Sequence, residues 1–390
     1  MPTAFAANPH THAPNSVART MRLVMLALVP ATLFGLYQFG WPAIFLFGIT
    51  VLGALLWEAL GLKLAGKPAR PGLLDGSALL TGWLLAMTLP PWAPWWVGLL
   101  GAFLAIIVGK QIFGGLGQNL FNPAMVARIA LLIALPLEMT TFVAPAPLFS
   151  SGAPGFLDGL MISLGQGAGT GPEAGLVSPG VSPDGGGLGA YDALSGASVL
   201  DSVRTALGQG QGLDAILPGV FDPLAAFWGG VAGSLGETSA LLLLLGGLFL
   251  LQQRVIRWEI PLAVLISLGL LAGLMHLLDA GRYPGPLFHW LQGATLLCAF
   301  FIATDPVTSP VSRAGQLLFG AGCGVLIYVI RTWGGYPEGV GFAVLLMNAC
   351  TPLIDHYLKP RIHGRDRRGQ PLKVPERAAA APAANPGGRS

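Results

Sequence analysis

Gly76-Ser-Ala-Leu-Leu-Thr-Gly-Trp-Leu-Leu-Ala86 recurs later in the chain as Gly293-Ala-Thr-Leu-Leu-Cys-Ala-Phe-Phe-Ile-Ala303, with four of eleven positions identical. A second echo pairs Phe113-Gly-Gly, running into Phe121-Asn-Pro-Ala-Met125, with Trp333-Gly-Gly, running into Phe342-Ala-Val-Leu-Leu-Met347. What such a repeat means depends on the solvent around it.

Composition answers that question. Of 390 residues, 53% are hydrophobic and 10% charged, whereas a soluble domain carries roughly a quarter charged residues. Stretches such as Leu23 to Phe39 and Leu241 to Leu251 carry no charge at all, as a hydrocarbon layer of about 30 Å requires. The first apolar run is not read as a secretory signal peptide: it has full spanning length, no Ala-x-Ala-like site follows it, and Gly40-Trp41 leads directly into a second run. Too little soluble mass remains for an ordinary enzyme.

The expected fold is an all-α polytopic membrane protein. Ten spans are read at 21–38, 41–62, 76–91, 95–112, 122–137, 238–253, 257–275, 286–303, 315–331 and 338–357. Repeat partners then lie five spans apart, and an odd offset reverses orientation, which predicts two inverted five-helix halves around a central path. The expected organisation is an N-terminal segment 1–20, repeats at 21–137 and 238–357, a long loop 138–237 and a basic tail 358–390. Arg19, Arg22, Lys63, Lys67, Arg70, Lys110, Arg254, Arg257, Arg313 and the basic residues from Lys359 onward share one side, with Arg204, Arg282 and Arg331 opposite. The positive-inside rule makes both termini cytoplasmic and the 138–237 loop outward, while the tail reads as a lipid-facing extension.

Little here suggests metal or nucleotide chemistry. Cys298, Cys323 and Cys350 lie in apolar runs without Cys-x-x-Cys spacing. The glycines of Gly165-Gln-Gly-Ala-Gly follow no expected strand, so they are not a dinucleotide fingerprint. Asn122-Pro-Ala occurs once, where a water channel needs two copies, and no nucleic-acid partner is indicated. Gly320, Gly322 and Gly324 are read as close helix packing.

Ionisable residues near lipid are costly, which singles out Glu58, Asp75, Lys110, Arg128, Glu237, Asp305 and Asp355. Asp75 and Asp305 end the two repeat-related spans on the cytoplasmic side, with Glu58 and Asp355 near the same face. Either these carboxylates form a site where a cation enters the bundle, or each is solvated or paired with Lys63, Lys110 or Arg128. Glu237, on the ion-path shortlist, serves equally as a helix N-terminal residue favoured by the dipole. On the outward side, Asp192-Ala-Leu-Ser-Gly-Ala-Ser198 reads by itself as a turn carrying a hydroxyl. The residues alone leave a passive channel or secondary transporter as open as a redox-linked pump.

Pro9-His-Thr-His12, Asp75 to Gly82, Lys110 to Met125, Gly236 to Leu241, Ala303 to Pro310 and Gly334 to Glu338, with Pro352 to Asp355, together resemble the D subunits of Rnf-type ion-translocating electron transport complexes. That family is related to the B subunits of sodium-translocating NADH:quinone reductases. The resemblance implies a covalent FMN, joined by a separate flavin transferase through a phosphoester to the last residue of an Asp-x-x-(Ser/Thr)-Gly-Ala-Thr motif. Here that residue is Ser198, with Asp192, Ser195, Gly196 and Ala197 completing the motif and serine in place of threonine. It further implies the A, B, C, E and G subunits as partners, electron transfer between ferredoxin and NAD coupled to sodium or proton movement, and a bacterial inner-membrane location. A second, non-covalent flavin, riboflavin or FMN, is left open.

Overall fold

The computed structural model describes residues 16–150, 152–165, 195–196, 198–336, 338–359 and 370. Pro9 to His12, the glycine-rich stretch 166–189, Asp192, Ala197 and the tail beyond Lys359, Gln370 excepted, lie outside the described residues.

The chain is helical where the apolar runs predicted helices, and the departures are informative. The first two runs form one element, Val17–Leu64, interrupted at Gly40, whose φ of 71° is open to glycine and costly for other residues. Pro42 follows at the start of the second half, where its missing N–H is harmless. The carbonyls freed at the break find donors elsewhere: Phe39 C=O accepts the Trp92 indole N–H at 3.0 Å, and Gln38 and Tyr37 C=O accept the Ala146 and Leu148 N–H groups at 2.9 and 2.7 Å. Burial without such partners would be expensive.

Among the described residues, three helices are long and apolar enough to cross a bilayer by length and composition: Val17–Leu64, Glu259–Leu278 and Arg313–Trp333. Their outer faces leave leucines uncovered, Leu52 and Leu270 being 66% and 69% exposed, which suits a lipid solvent and no aqueous one. The protein is a membrane protein. Gly320 lets Arg313–Trp333 lie against Glu259–Leu278, since a Cβ there would meet Ile260 C=O at 2.8 Å. Gly322 faces Met347 in the same way.

Other apolar helices are shorter. Ser77–Thr88 and Pro123–Ala134 have 12 residues each and Ala240–Gln252 has 13, about 18–20 Å at 1.5 Å per residue. The 286–303 run is broken: Pro286–Leu291 ends, Gly293 takes φ 68°, and 295–302 resumes as a short helix widening into a π segment, Cys298–Ile302. A second π segment, Leu104–Gln111, continues Trp95–Phe103. The 138–237 loop carries helices of its own, Phe156–Ser163, Val199–Gly208, Leu213–Val220 and Pro223–Trp228. Val199, Leu200, Val203, Leu213, Ile216 and Phe288 form a separate apolar cluster under that layer.

Candidate functional site

Two polar clusters lie inside the apolar bundle, towards opposite ends of the Pro123–Ala134 helix. Asn122 starts that helix, its side-chain oxygen accepting the Ala124 and Met125 N–H groups at 3.1 and 3.3 Å. Gly109 lets the Leu104–Gln111 segment close on Pro123, where a Cβ would sit 3.0 Å from Pro123 Cα. That close approach brings Lys110 to this end of the helix. Its Nζ donates to Glu58 Oε1 and to Ser77 Oγ, both at 2.8 Å, and the Ser77 hydroxyl donates to Asp75 Oδ1 at 2.6 Å. The Lys110 and Glu58 side chains are 2% and 3% exposed, and Glu58 Oε2 has no protein partner among the described residues.

Lys110, Ser77, Asn119, Asn122 and Asp305 line one cavity of about 80 Å³. A water needs about 10–15 Å³ on this scale, so the space suits a few waters or an ion and is too small for a flavin ring. Asp305 turns its carboxylate to its own loop, accepting the Val307 N–H at 3.3 Å and the Thr308 hydroxyl at 3.2 Å. Asp355 accepts the Val311 N–H at 3.0 Å and does not line the cavity. Of the four carboxylates expected near the cytoplasmic face, the structure joins Glu58 and Asp75 through Lys110 and Ser77, sets Asp305 beside them and leaves Asp355 apart. Glu237 belongs to the other cluster.

At that second cluster, Arg128 and Leu132 of the same helix share a cavity of about 20 Å³ with Ser198, Leu200, Glu237 and Glu338. Ser198 caps the Val199–Gly208 helix, its hydroxyl accepting the Asp201 N–H at 3.3 Å, and it is 8% exposed. The backbone just before it is fixed by an antiparallel bridge, Phe142 opposite Gly196 and Val143 opposite Ser195. A helix N-terminus with unpaired N–H groups favours a phosphate. Arg128 is 7% exposed, with Nη1 unpartnered among the described residues. Glu237 comes from the turn Leu235–Glu237, which lies so close to the Ser77–Thr88 helix that a Cβ at Gly236 would meet Met87 C=O at 2.8 Å.

Glu338 and Arg331 complete this end. Arg331 Nη2 lies 3.0 Å from Glu338 Oε2, and its Nη1 donates to His289 C=O at 2.9 Å. Glu338 also accepts the Ala294 and Val340 N–H groups at 3.1 and 3.0 Å. A side chain at Gly293 would collide with both Glu338 and Arg331. Arg331, Glu338, His289 and Arg204 were not among the functional residues expected from sequence. The usable signal was the Trp333-Gly-Gly echo of Phe113-Gly-Gly, which places a basic residue shortly before the glycines in each copy.

The chain that forms these clusters has counterparts among known proteins. Its sequence matches the NQR2, RnfD, RnfE family over residues 4–364. It is 53% identical over 370 residues to the D subunit of the ion-translocating oxidoreductase complex of Halorhodospira halophila, covering 95% of this chain and 98% of that one. The protein of the same name from Stutzerimonas stutzeri is 54% identical over 358 residues, covering 92% and 95%. That from Escherichia coli is 41% identical over 365 residues, covering 94% and 99%. With its profile matched almost from end to end and relatives of this similarity over nearly their whole length, the chain belongs to the NQR2, RnfD, RnfE family.

Proposed function

We propose that this chain is the D subunit of an ion-translocating oxidoreductase complex in the bacterial inner membrane, and that it carries FMN as a phosphoester on Ser198. The observation that carries the flavin assignment is the setting of the Ser198 hydroxyl: it caps a ten-residue helix and shares a cavity with Arg128, whose Nη1 has no partner among the described residues. The dipole of that helix and Arg128 both favour a phosphate there. As an ester oxygen, Ser198 Oγ keeps a lone pair for the Asp201 N–H, so the cap survives attachment. Glu237 and Glu338 line the same cavity and act on Arg128 through their charge. The flavin supplies the redox chemistry, and the protein sets its position and potential.

In the same reading, ten spans form two inverted halves with both termini cytoplasmic. Two buried ion pairs support this. Lys110 with Glu58 lies beside the start of the Ser77–Thr88 helix, and Arg331 with Glu338 lies beside the start of the 295–302 helix. Those starts are the repeated sequences. Glu58, Asp75 and the adjacent Asp305 form the cytoplasmic part of the ion path, with Lys110 holding it together. The A, B, C, E and G subunits, and a flavin transferase for maturation, are the partners.

The test is in-gel fluorescence. Expressed with a flavin transferase, the denatured chain fluoresces under ultraviolet light, and Ser198→Ala abolishes the signal. A dark wild-type band, or a fluorescent Ser198→Ala band, overturns the assignment.

A further inference from the structure

The cavity at Ser198, at about 20 Å³, holds no ring system, but a larger one is lined by the same helix. Leu200 borders both cavities. The larger one, about 570 Å³, falls in the range of about 300–1,000 Å³ typical of ligand sites. It is bounded by Leu200 and Arg204 of the Val199–Gly208 helix and by Tyr283, His289, Arg331 and Trp333. Ser198 to Arg204 is six residues, roughly 9 Å along a helix axis, within reach of a ribityl phosphate arm.

Its lining is that of a site for a planar anion. His289 is 3% exposed, and neither ring nitrogen has a protein partner among the described residues. Arg204 donates through Nη2 to Gly334 C=O but leaves Nη1 buried and unpartnered, as is Arg331 Nε. Buried polar atoms of this kind are rare and call for a partner. Charge points the same way: Arg282 and Asp279 at this cavity cancel, Arg331 is paired with Glu338, and Arg204 leaves one net positive charge. Tyr283 and Trp333 meet edge to face at 6.4 Å and offer aromatic surface beside the guanidinia.

Resting on the Ser198 assignment, we propose that the isoalloxazine ring of the tethered flavin lies in this cavity. Tyr283 and Trp333 contact the ring, and Arg204 and His289 meet its polar edge. A reduced flavin ring is anionic at neutral pH, so Arg204 stabilises the reduced form and raises the midpoint potential.

The experiment uses the full chain expressed with a flavin transferase, purified in detergent and titrated with dithionite. Arg204→Gln and Trp333→Leu are compared with wild type, the second being a half-exposed position that tolerates change. In-gel fluorescence of each denatured variant measures how much flavin is attached, and the native readings are taken per attached flavin. In the native protein, Trp333→Leu raises flavin fluorescence several-fold by removing a quencher, and Arg204→Gln lowers the midpoint potential. Flavin attached normally, with wild-type fluorescence and potential in both variants, places the ring elsewhere and overturns this inference alone. No attached flavin in the wild type overturns the Ser198 assignment and this inference with it.

Discussion

Lys110 Nζ lies 2.8 Å from Glu58 Oε1, across 52 residues of sequence, with both side chains almost wholly shielded. Breaking such a buried pair from one side leaves an uncompensated charge and costs about 3–5 kcal/mol, whereas replacing both partners is close to neutral. Lys110→Met therefore lowers the thermal unfolding temperature in detergent sharply, and Glu58→Gln with Lys110→Met restores most of it. A single variant as stable as wild type, or a double variant no better than the single, contradicts this account of the pair.

Ser198→Thr keeps a hydroxyl at the helix cap and adds only a methyl. It retains flavin at the wild-type level, while Ser198→Ala loses flavin completely and, by losing the cap, about 1 kcal/mol of stability. In-gel fluorescence of the three proteins from one expression series reads the first effect, and their melting curves read the second. A dark Ser198→Thr band would mean that the transferase reads more than the hydroxyl.

Gly76 and Gly293 open the two repeated stretches, and both have positive φ, 79° and 68°. Alanine at either position bears backbone strain of about 1–3 kcal/mol. Only at Gly293 does the added methyl also strike Glu338 and Arg331; at Gly76 its nearest neighbour is Met21 Cβ at 3.3 Å. Gly293→Ala is therefore the more damaging, by a margin visible in side-by-side melting curves. Equal losses would show that the Arg331–Glu338 pair yields freely.

Asn348 is fully buried and bridges two segments, accepting the Asn122 N–H at 3.1 Å and donating to Thr308 C=O at 3.1 Å. Asn348→Leu leaves the Asn122 N–H unpaired, at about 1–3 kcal/mol, while Thr308 C=O keeps the Thr351 hydroxyl at 3.0 Å. Hydrogen exchange at the start of the Pro123–Ala134 helix rises in this variant. Unchanged protection there would mean that water replaces the amide.

The apolar helices were legible because a hydrocarbon solvent acts on composition over some twenty residues at a time. Breaks were not. At Leu291-Gln-Gly-Ala294 one glutamine and one glycine separate two apolar stretches, and only the fit of Glu338 to Ala294 explains why the helix stops there. The helices of 138–237 start at local caps such as Asp222 and Ser198 that a glycine-rich background conceals. The carboxylates were visible as costly residues, yet their grouping was not, because Glu58 meets Lys110 and Glu237 meets the Arg128 cavity only through the tertiary fold. Asp355 was grouped by side of the membrane, which does not specify distance.

Glu338 touches the start of one helix through Val340, the start of another through Ala294, and the guanidinium of a third through Arg331, while also lining the cavity at Ser198. It works as a rivet through three plates. The 295–302 segment is anchored at one end by the Ala294 N–H on Glu338 and ends at Ile302, whose C=O accepts the Asp305 N–H at 3.3 Å, so a single short helix ties the Glu338 end of the bundle to the Asp305 end.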